Sequence, residues 1–347
     1  SLSHHHYQQF FDWVAGSVPE AIKLVGPMQI APLAGDAGFR RYYRTNTAPS
    51  LIAVDSPPAK ENNTAYLNTS HALQSGGVRT PIIYAVDAER GFMLLEDFGE
   101  QLLLPLLDQE SVHSLYDQAE TCLLKIQQLQ PNIQIFPDYD SQSLSDEMAL
   151  FRHWFVGELL GSSLDKNEIA MLESLFASLV ENALEQPQVL VHRDYHSRNL
   201  MLLADGDMGV IDFQDAVWGP VTYDLVSLLK DCYIRWPAAM VRQRTLAFKG
   251  RLLEADPSLE IGDHEFLRWF DLMGLQRHIK VMGIFARLAL RDGKHNYLQD
   301  LPMVIDYSLE AADQYPQSEE FCRWFRQRIS PLLQSQSWYS SANKADL

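Results

Sequence analysis

The chain has 347 residues and a net charge of −17, with 46% hydrophobic and 21% charged residues, the profile of a soluble globular protein with room for one large or two ordinary domains. The charge argues against a general nucleic-acid-binding role, and no apolar run approaches the ~18 residues of a membrane span. Three scattered cysteines, Cys122, Cys232 and Cys322, form no zinc-type spacing and point to a reducing compartment.

The opening SLSHHH reads as a tag remnant or frayed end without a role, and nothing there resembles a signal peptide; a cytoplasmic protein is expected. Residues 7–15 suit a short amphipathic helix. Strands follow at 28–33, 39–46 and 50–56, the first two divided by the Gly-containing turn 35–38. A helix over 61–75 stops at Gly76 and Gly77. Residues 81–87 and 91–98 read as another strand pair. Helices are then predicted over 109–129, 142–160, 166–185, 220–235, 239–254, 264–291 and 303–313. Two short strands, LMLLAD and GVIDF, interrupt them. The reading is an α+β chain, with a β-rich lobe over 1–98 and a mostly helical lobe over 99–347. The polar tail SQSWYSSANKADL is expected to be loose.

The densest polar run is VHRDYHSRNL, residues 191–200. A carboxylate beside a substrate hydroxyl can orient it or take its proton. Amide and carboxylate oxygens suit magnesium, a hard cation that keeps several waters. Asp194, then Asn199, then Asp212 after two short strands, would supply one acid for the nucleophile and two oxygens for a metal. Phosphoryl transfer needs that combination of alignment and charge neutralisation.

HRDYHSRN resembles the catalytic loop of the protein kinases, and GVIDFQD their metal-binding segment, with Gln214 where glycine is usual. DAVWGPVTYDLVSLL (215–229) is similar instead to the aminoglycoside phosphotransferase branch of the kinase-like fold. Further runs, GDAGFRRYYR (35–44), DSPPAKEN (55–62), FMLLEDFG (92–99) and residues 275–302, resemble the bacterial anomeric sugar kinases that act on N-acetylmuramate and N-acetylglucosamine. The resemblance spans roughly 20–315. It implies a bilobal protein-kinase-like fold, ATP and Mg²⁺ as cofactors, and an amino sugar as small-molecule partner. Asp194 would be the base, Asn199 and Asp212 the metal ligands, and His192 a support for the loop. Gly35, Asp36, Ala37, Gly38 and Phe39 would cover the phosphates, with Glu96, Asp97 and Phe98 holding adenine at the lobe junction. A monomer is expected.

The kinase pattern breaks in two places. The strand LIAVD ends in Asp55 and has no lysine, and 64–75 contains no glutamate. Arg41, Arg44 and Lys60 are candidates to offset the phosphate charge, with Arg44 preferred. For the acceptor, Asp215 and His196 are candidates, beside Trp218. At ~100° per residue, Arg277, Lys280, Arg287 and Arg291 share an arc of about 80°. That stripe reads either as a solvated face or as a holder for an anionic substituent. His278 lies off the stripe and is a candidate sugar contact. Tryptophans and phenylalanines at 268–270 and 323–325 read as core. The expected activity is phosphorylation of an anomeric hydroxyl. The alternatives are another hydroxyl acceptor, such as an aminoglycoside or choline-like compound, and a nucleotide-binding regulator without catalysis.

Overall fold

The computed structural model describes residues 2–34, 38–130 and 135–339. Two compact units emerge: 1–135 with 198–216, and 136–197 with 217–347. The sequence suggests one crossing near 98–101, whereas the chain returns to the first unit for 198–216. The reason is the short hairpin Leu200–Leu202/Met208–Val210, which belongs to the first unit: Val210 N bonds to Arg79 O at 2.8 Å and Leu202 N to Gln101 O at 2.9 Å.

In the first unit, five antiparallel strands stand in the order Ile30–Pro32, Arg41–Thr45, Leu51–Asp55, Phe92–Glu96, Ile83–Asp87. The opening residues are not a frayed end. A helix runs from Leu2 to Ser17, and its Phe10 and Val14 pack on Leu51, Ala53, Phe92 and Leu94 of the sheet. His6 Nε2 lies 2.7 Å from Asp55 Oδ2. The helix Asn63–Ser75 begins where Asn62 accepts the Ala65 amide, satisfying one of the amides that a helix start leaves unpaired. It stops at Gly76, followed by Gly77 at φ 80°.

The second unit is mostly helical. Helix Lys166–Leu184 starts on an Asp165/Glu168 capping box. The long helix Asp263–Leu290 is buried along most of its length. A Cβ on its Gly283 would lie 2.4 Å from the Leu150 carbonyl carbon, so only glycine permits that approach. The contact falls where the predicted 142–160 helix changes from α (Ser141–Leu150) to π (Phe151–Leu159). It also brings Glu147 against Lys280, about one turn back on each helix. The predicted helix over 220–235 shrinks to Tyr223–Leu229, because Val217–Pro220 pairs antiparallel with Gln188–Val191. Phe325 is fully buried, within a helical stretch over 319–333 that the pattern did not suggest. Residues 340–347 of the tail lie outside the described residues. Among the described residues no helix is long and apolar enough to cross a membrane.

Candidate active site

The loop after strand Gln188–Val191 is held by two buried aspartates. Asp224 accepts the His192 amide at 2.7 Å and the Arg193 amide at 3.0 Å, one on each oxygen. This fixes Arg193 at φ 86°, a left-handed conformation that non-glycine residues rarely adopt. Asp231 takes the Ser197 amide and hydroxyl at 2.9 and 2.6 Å, and the Tyr233 amide at 2.7 Å. Burial raises the pKa of both aspartates, against the amides that favour their charge. The Asp194 amide donates to His192 Nδ1 at 3.1 Å. His192 is the support that the resemblance implies.

Asp194 keeps 43% of its side chain exposed. Crowding opposes its charge, yet Lys280, His196, Arg277 and His192 outweigh that and hold its pKa at about 2. Arg277 Nη2 is 3.7 Å from Asp194 Oδ1. Lys280 is fixed by Glu147 at 2.6 Å and by the Tyr223 hydroxyl at 3.0 Å. Arg193 reaches Glu147 at 2.8 Å and lies 4.9 Å over the Tyr139 ring. Glu147 resists its own desolvation because Lys280 and Arg193 face it, and its pKa is lowered. A carboxylate that ionises this easily aligns a hydroxyl well and is a weak base toward it.

In the other unit, the Ile211 amide donates to Asn199 O at 3.1 Å, closing the hairpin end. Asn199 and Asp212 therefore emerge from neighbouring strands. Asp212 has φ 57° and accepts Gln214 Nε2 at 2.6 Å. It shares with Arg193 the distinction of positive φ without being glycine, among the described residues. One amide and one carboxylate, with no thiolate or imidazole, form a hard-oxygen set. It fits a magnesium ion that takes its other ligands from phosphate and water.

The nucleotide candidates are placed as follows. Gly35, Asp36 and Ala37 lie outside the described residues. Gly38 and Phe39 are exposed, and the Phe39 amide donates to Glu61 at 2.9 Å. Glu96 accepts the Ile82 amide at 3.1 Å. Phe98 covers Gly209, where a Cβ would come within 2.8 Å of its ring. Arg44 is engaged by two carboxylates. Its guanidinium is held by Asp97 at 2.7 Å and Glu100 at 2.7 Å, and Asp97 also takes the Ser50 hydroxyl and the Gly99 amide. Arg44 and Asp97 brace the end of the sheet.

Among the acceptor candidates, Asp215 is exposed in the first unit and Trp218 is part of a strand in the second. His196 meets the Tyr233 ring at 5.3 Å, Tyr233 stacks on Phe285 at 6.3 Å, and Phe285 contacts Tyr297 at 5.0 Å. The basic stripe divides: Arg291 is exposed and pairs with Asp292, whereas the other end is packed. Arg277 and Lys280 are 4% and 8% exposed and turn toward Asp194 and Glu147. Arg287 is half-buried, and its Nε has no hydrogen-bond partner among the described residues. His278 is packed away from any surface: it stacks on Tyr307 at 4.8 Å and bonds to Lys230 O. Its burial lowers its pKa well below the usual imidazole value, so it is a neutral core residue. Glu147, Tyr139 and Asp231 escaped the sequence reading, since each acts through a partner 34 or more residues away and none belongs to a motif.

A profile of the phosphotransferase enzyme family matches residues 29–261. A Pseudomonas aeruginosa protein named N-acetylmuramate/N-acetylglucosamine kinase is 38% identical over 320 residues, covering 90% of this chain and 94% of its own length. A Pseudomonas putida protein of the same name is 41% identical over 288 residues, covering 83% and 84%. Solved structures share the fold at lower identity. A Plasmodium vivax ethanolamine kinase superposes with TM-score 0.61 at 12% identity, over 81% of this chain and 82% of its own. The ADP-bound aminoglycoside phosphotransferase APH(2'')-Ib gives 0.56 at 13%, over 87% and 98%. The fold is thus protein-kinase-like, and the chain belongs to the phosphotransferase enzyme family.

Proposed function

We propose that the chain is an ATP-dependent kinase that phosphorylates the anomeric hydroxyl of N-acetylmuramate or N-acetylglucosamine, the two sugars in its relatives' names. The carrying observation is the cationic surround of Asp194, built from Arg277 and Lys280. A cationic acceptor such as an aminoglycoside or choline calls for unpaired carboxylates, whereas this surround suits an uncharged or acidic sugar.

In this reading Asp194 accepts a hydrogen bond from the 1-hydroxyl and aims its oxygen at the γ-phosphorus. An anomeric hydroxyl is more acidic than an ordinary alcohol, so a weak base suffices. The hydroxyl proton passes to Asp194 as the new P–O bond forms and the bond to ADP breaks, without a covalent enzyme intermediate. Asn199 and Asp212 would hold magnesium, which when bound neutralises charge on the phosphate oxygens. His196 and Tyr233, edge to face, offer the sugar ring an aromatic corner, and Arg287 offers the lactyl carboxylate of N-acetylmuramate a cation.

Phosphorus NMR of the product tests the reading. Incubation with ATP, Mg²⁺ and either sugar is expected to give a sugar 1-phosphate with anomeric coupling. Turnover of choline or an aminoglycoside, with neither sugar phosphorylated, would overturn it.

A further inference from the structure

Arg40 stands at the entry to strand Arg41–Thr45, with 5% of its side chain exposed. Its Nη1 lies 3.5 Å from Glu61 Oε2, and its guanidinium 5.6 Å over the Tyr66 ring. Its Nε and Nη2 are buried without a hydrogen-bond partner among the described residues. Unmet donors on a buried cation are costly, and proteins rarely keep them without a use. The other Glu61 oxygen takes the Phe39 amide, so one carboxylate ties Arg40 to the backbone at Phe39.

The surroundings point to a ligand. Tyr66 stacks on Phe213 at 4.8 Å and 25°, next in sequence to Asp212. Burial raises the Tyr66 phenol, and the charges acting on it are Arg40 and Asp212. One aromatic pair thus lies between a cation with unmet donors and a candidate metal carboxylate. The other cations of this region are engaged or exposed. Arg44 is held by Asp97 and Glu100, Lys60 lies over the Phe39 ring, and Arg41 is exposed. Asp55 ends the strand where a lysine is absent, and it is engaged by His6.

We infer that Arg40, backed by Glu61, binds the nonbridging α- and β-phosphate oxygens of the nucleotide, in place of the missing strand lysine and helix glutamate. A guanidinium presents paired donors that match two phosphate oxygens. The inference rests on the kinase reading above.

The test is equilibrium binding of ADP and adenosine, with melting temperatures, for the wild type, Arg40→Lys, Arg40→Met and Arg40→Met/Glu61→Gln. Arg40→Met is expected to weaken ADP about 10- to 100-fold and to leave adenosine unchanged, with Arg40→Lys recovering part of the loss. The double variant should melt at or above the wild type, because it removes a buried ion pair with unmet donors. Unchanged ADP affinity in Arg40→Met would overturn the assignment. So would a double variant that melts lower and loses ADP and adenosine equally, the behaviour of a merely structural pair. A wild type that binds no ADP would sink the kinase reading itself, and this inference with it.

Discussion

Arg277 Nη2 stands 3.7 Å from Asp194 Oδ1, on a helix face that is packed rather than solvated. One turn along, Lys280 is fixed by Glu147 and two tyrosine hydroxyls. Neither cation is free to leave, so both act as fixed charges on Asp194, and at short range such charges resist screening by salt.

That arrangement sets a pH dependence. The Asp194 pKa is depressed to about 2, from an ordinary value of about 3.9. A depressed carboxyl contributes stability that is complete above its ordinary value and is lost as pH falls through its folded value. Asp194 is therefore expected to stay ionised at any pH where the protein remains folded, and wild-type kcat should show no acid limb from it above about pH 4. Lys280→Met removes the cation that most lowers Asp194 and Glu147. Its kcat profile should gain an acid limb at higher pH, and superimposable profiles would count against the electrostatic role.

Asp231→Ala leaves the buried Ser197 amide and hydroxyl and the part-buried Tyr233 amide without their acceptor. Urea unfolding is expected to show a loss of about 1–3 kcal/mol, with kcat reduced because Ser197 no longer anchors the loop. Asp231→Asn keeps one accepting oxygen and should lie between. Equal stability of all three proteins would contradict the clamp.

Gly283→Ala would put a methyl carbon within 2.6 Å of backbone atoms of Leu150 and Phe151. Backbone cannot step aside as a flexible side chain does, so overpacking here should cost about 1–3 kcal/mol. The forced separation also pulls Glu147 from Lys280, and KM for the sugar should rise. A variant with wild-type melting temperature and KM would refute the link.

Chelation with EDTA is expected to stop turnover while leaving the melting temperature of the nucleotide-free protein unchanged. Asn199 and Asp212 sit on a hairpin that its own ladder and the Val210–Arg79 bond already hold. A lower melting temperature on chelation would indicate a structural metal instead.

The strands between 28 and 98 were legible from their β-type runs and turn glycines, and the Asp194, Asn199 and Asp212 candidates came from motif spacing. Arg277 and Lys280 were legible as a stripe, but their direction was not. A helical wheel gives angles and says nothing of Glu147, which lies 133 residues from Lys280 along the chain and pairs with it. Arg40 was passed over in favour of Arg41 and Arg44. Adjacent residues in an extended chain point to opposite sides, and which of Arg40 and Arg41 turned inward depended on Glu61 and Tyr66. The long-helix prediction over 220–235 failed at Val217–Pro220, whose pairing with Gln188–Val191 outweighed the helical pattern. The opening histidines were set aside as a remnant, yet the apolar spacing of Phe10 and Val14 commits that helix to the sheet.

The central claim is that Asp194 aligns the acceptor hydroxyl. Steady-state kinetics of Asp194→Asn with ATP and N-acetylmuramate, alongside ADP binding, test it most directly. A kcat loss of about 100-fold or more, with ADP affinity kept, is the predicted result; near-wild-type turnover in a variant that still binds ADP would contradict it.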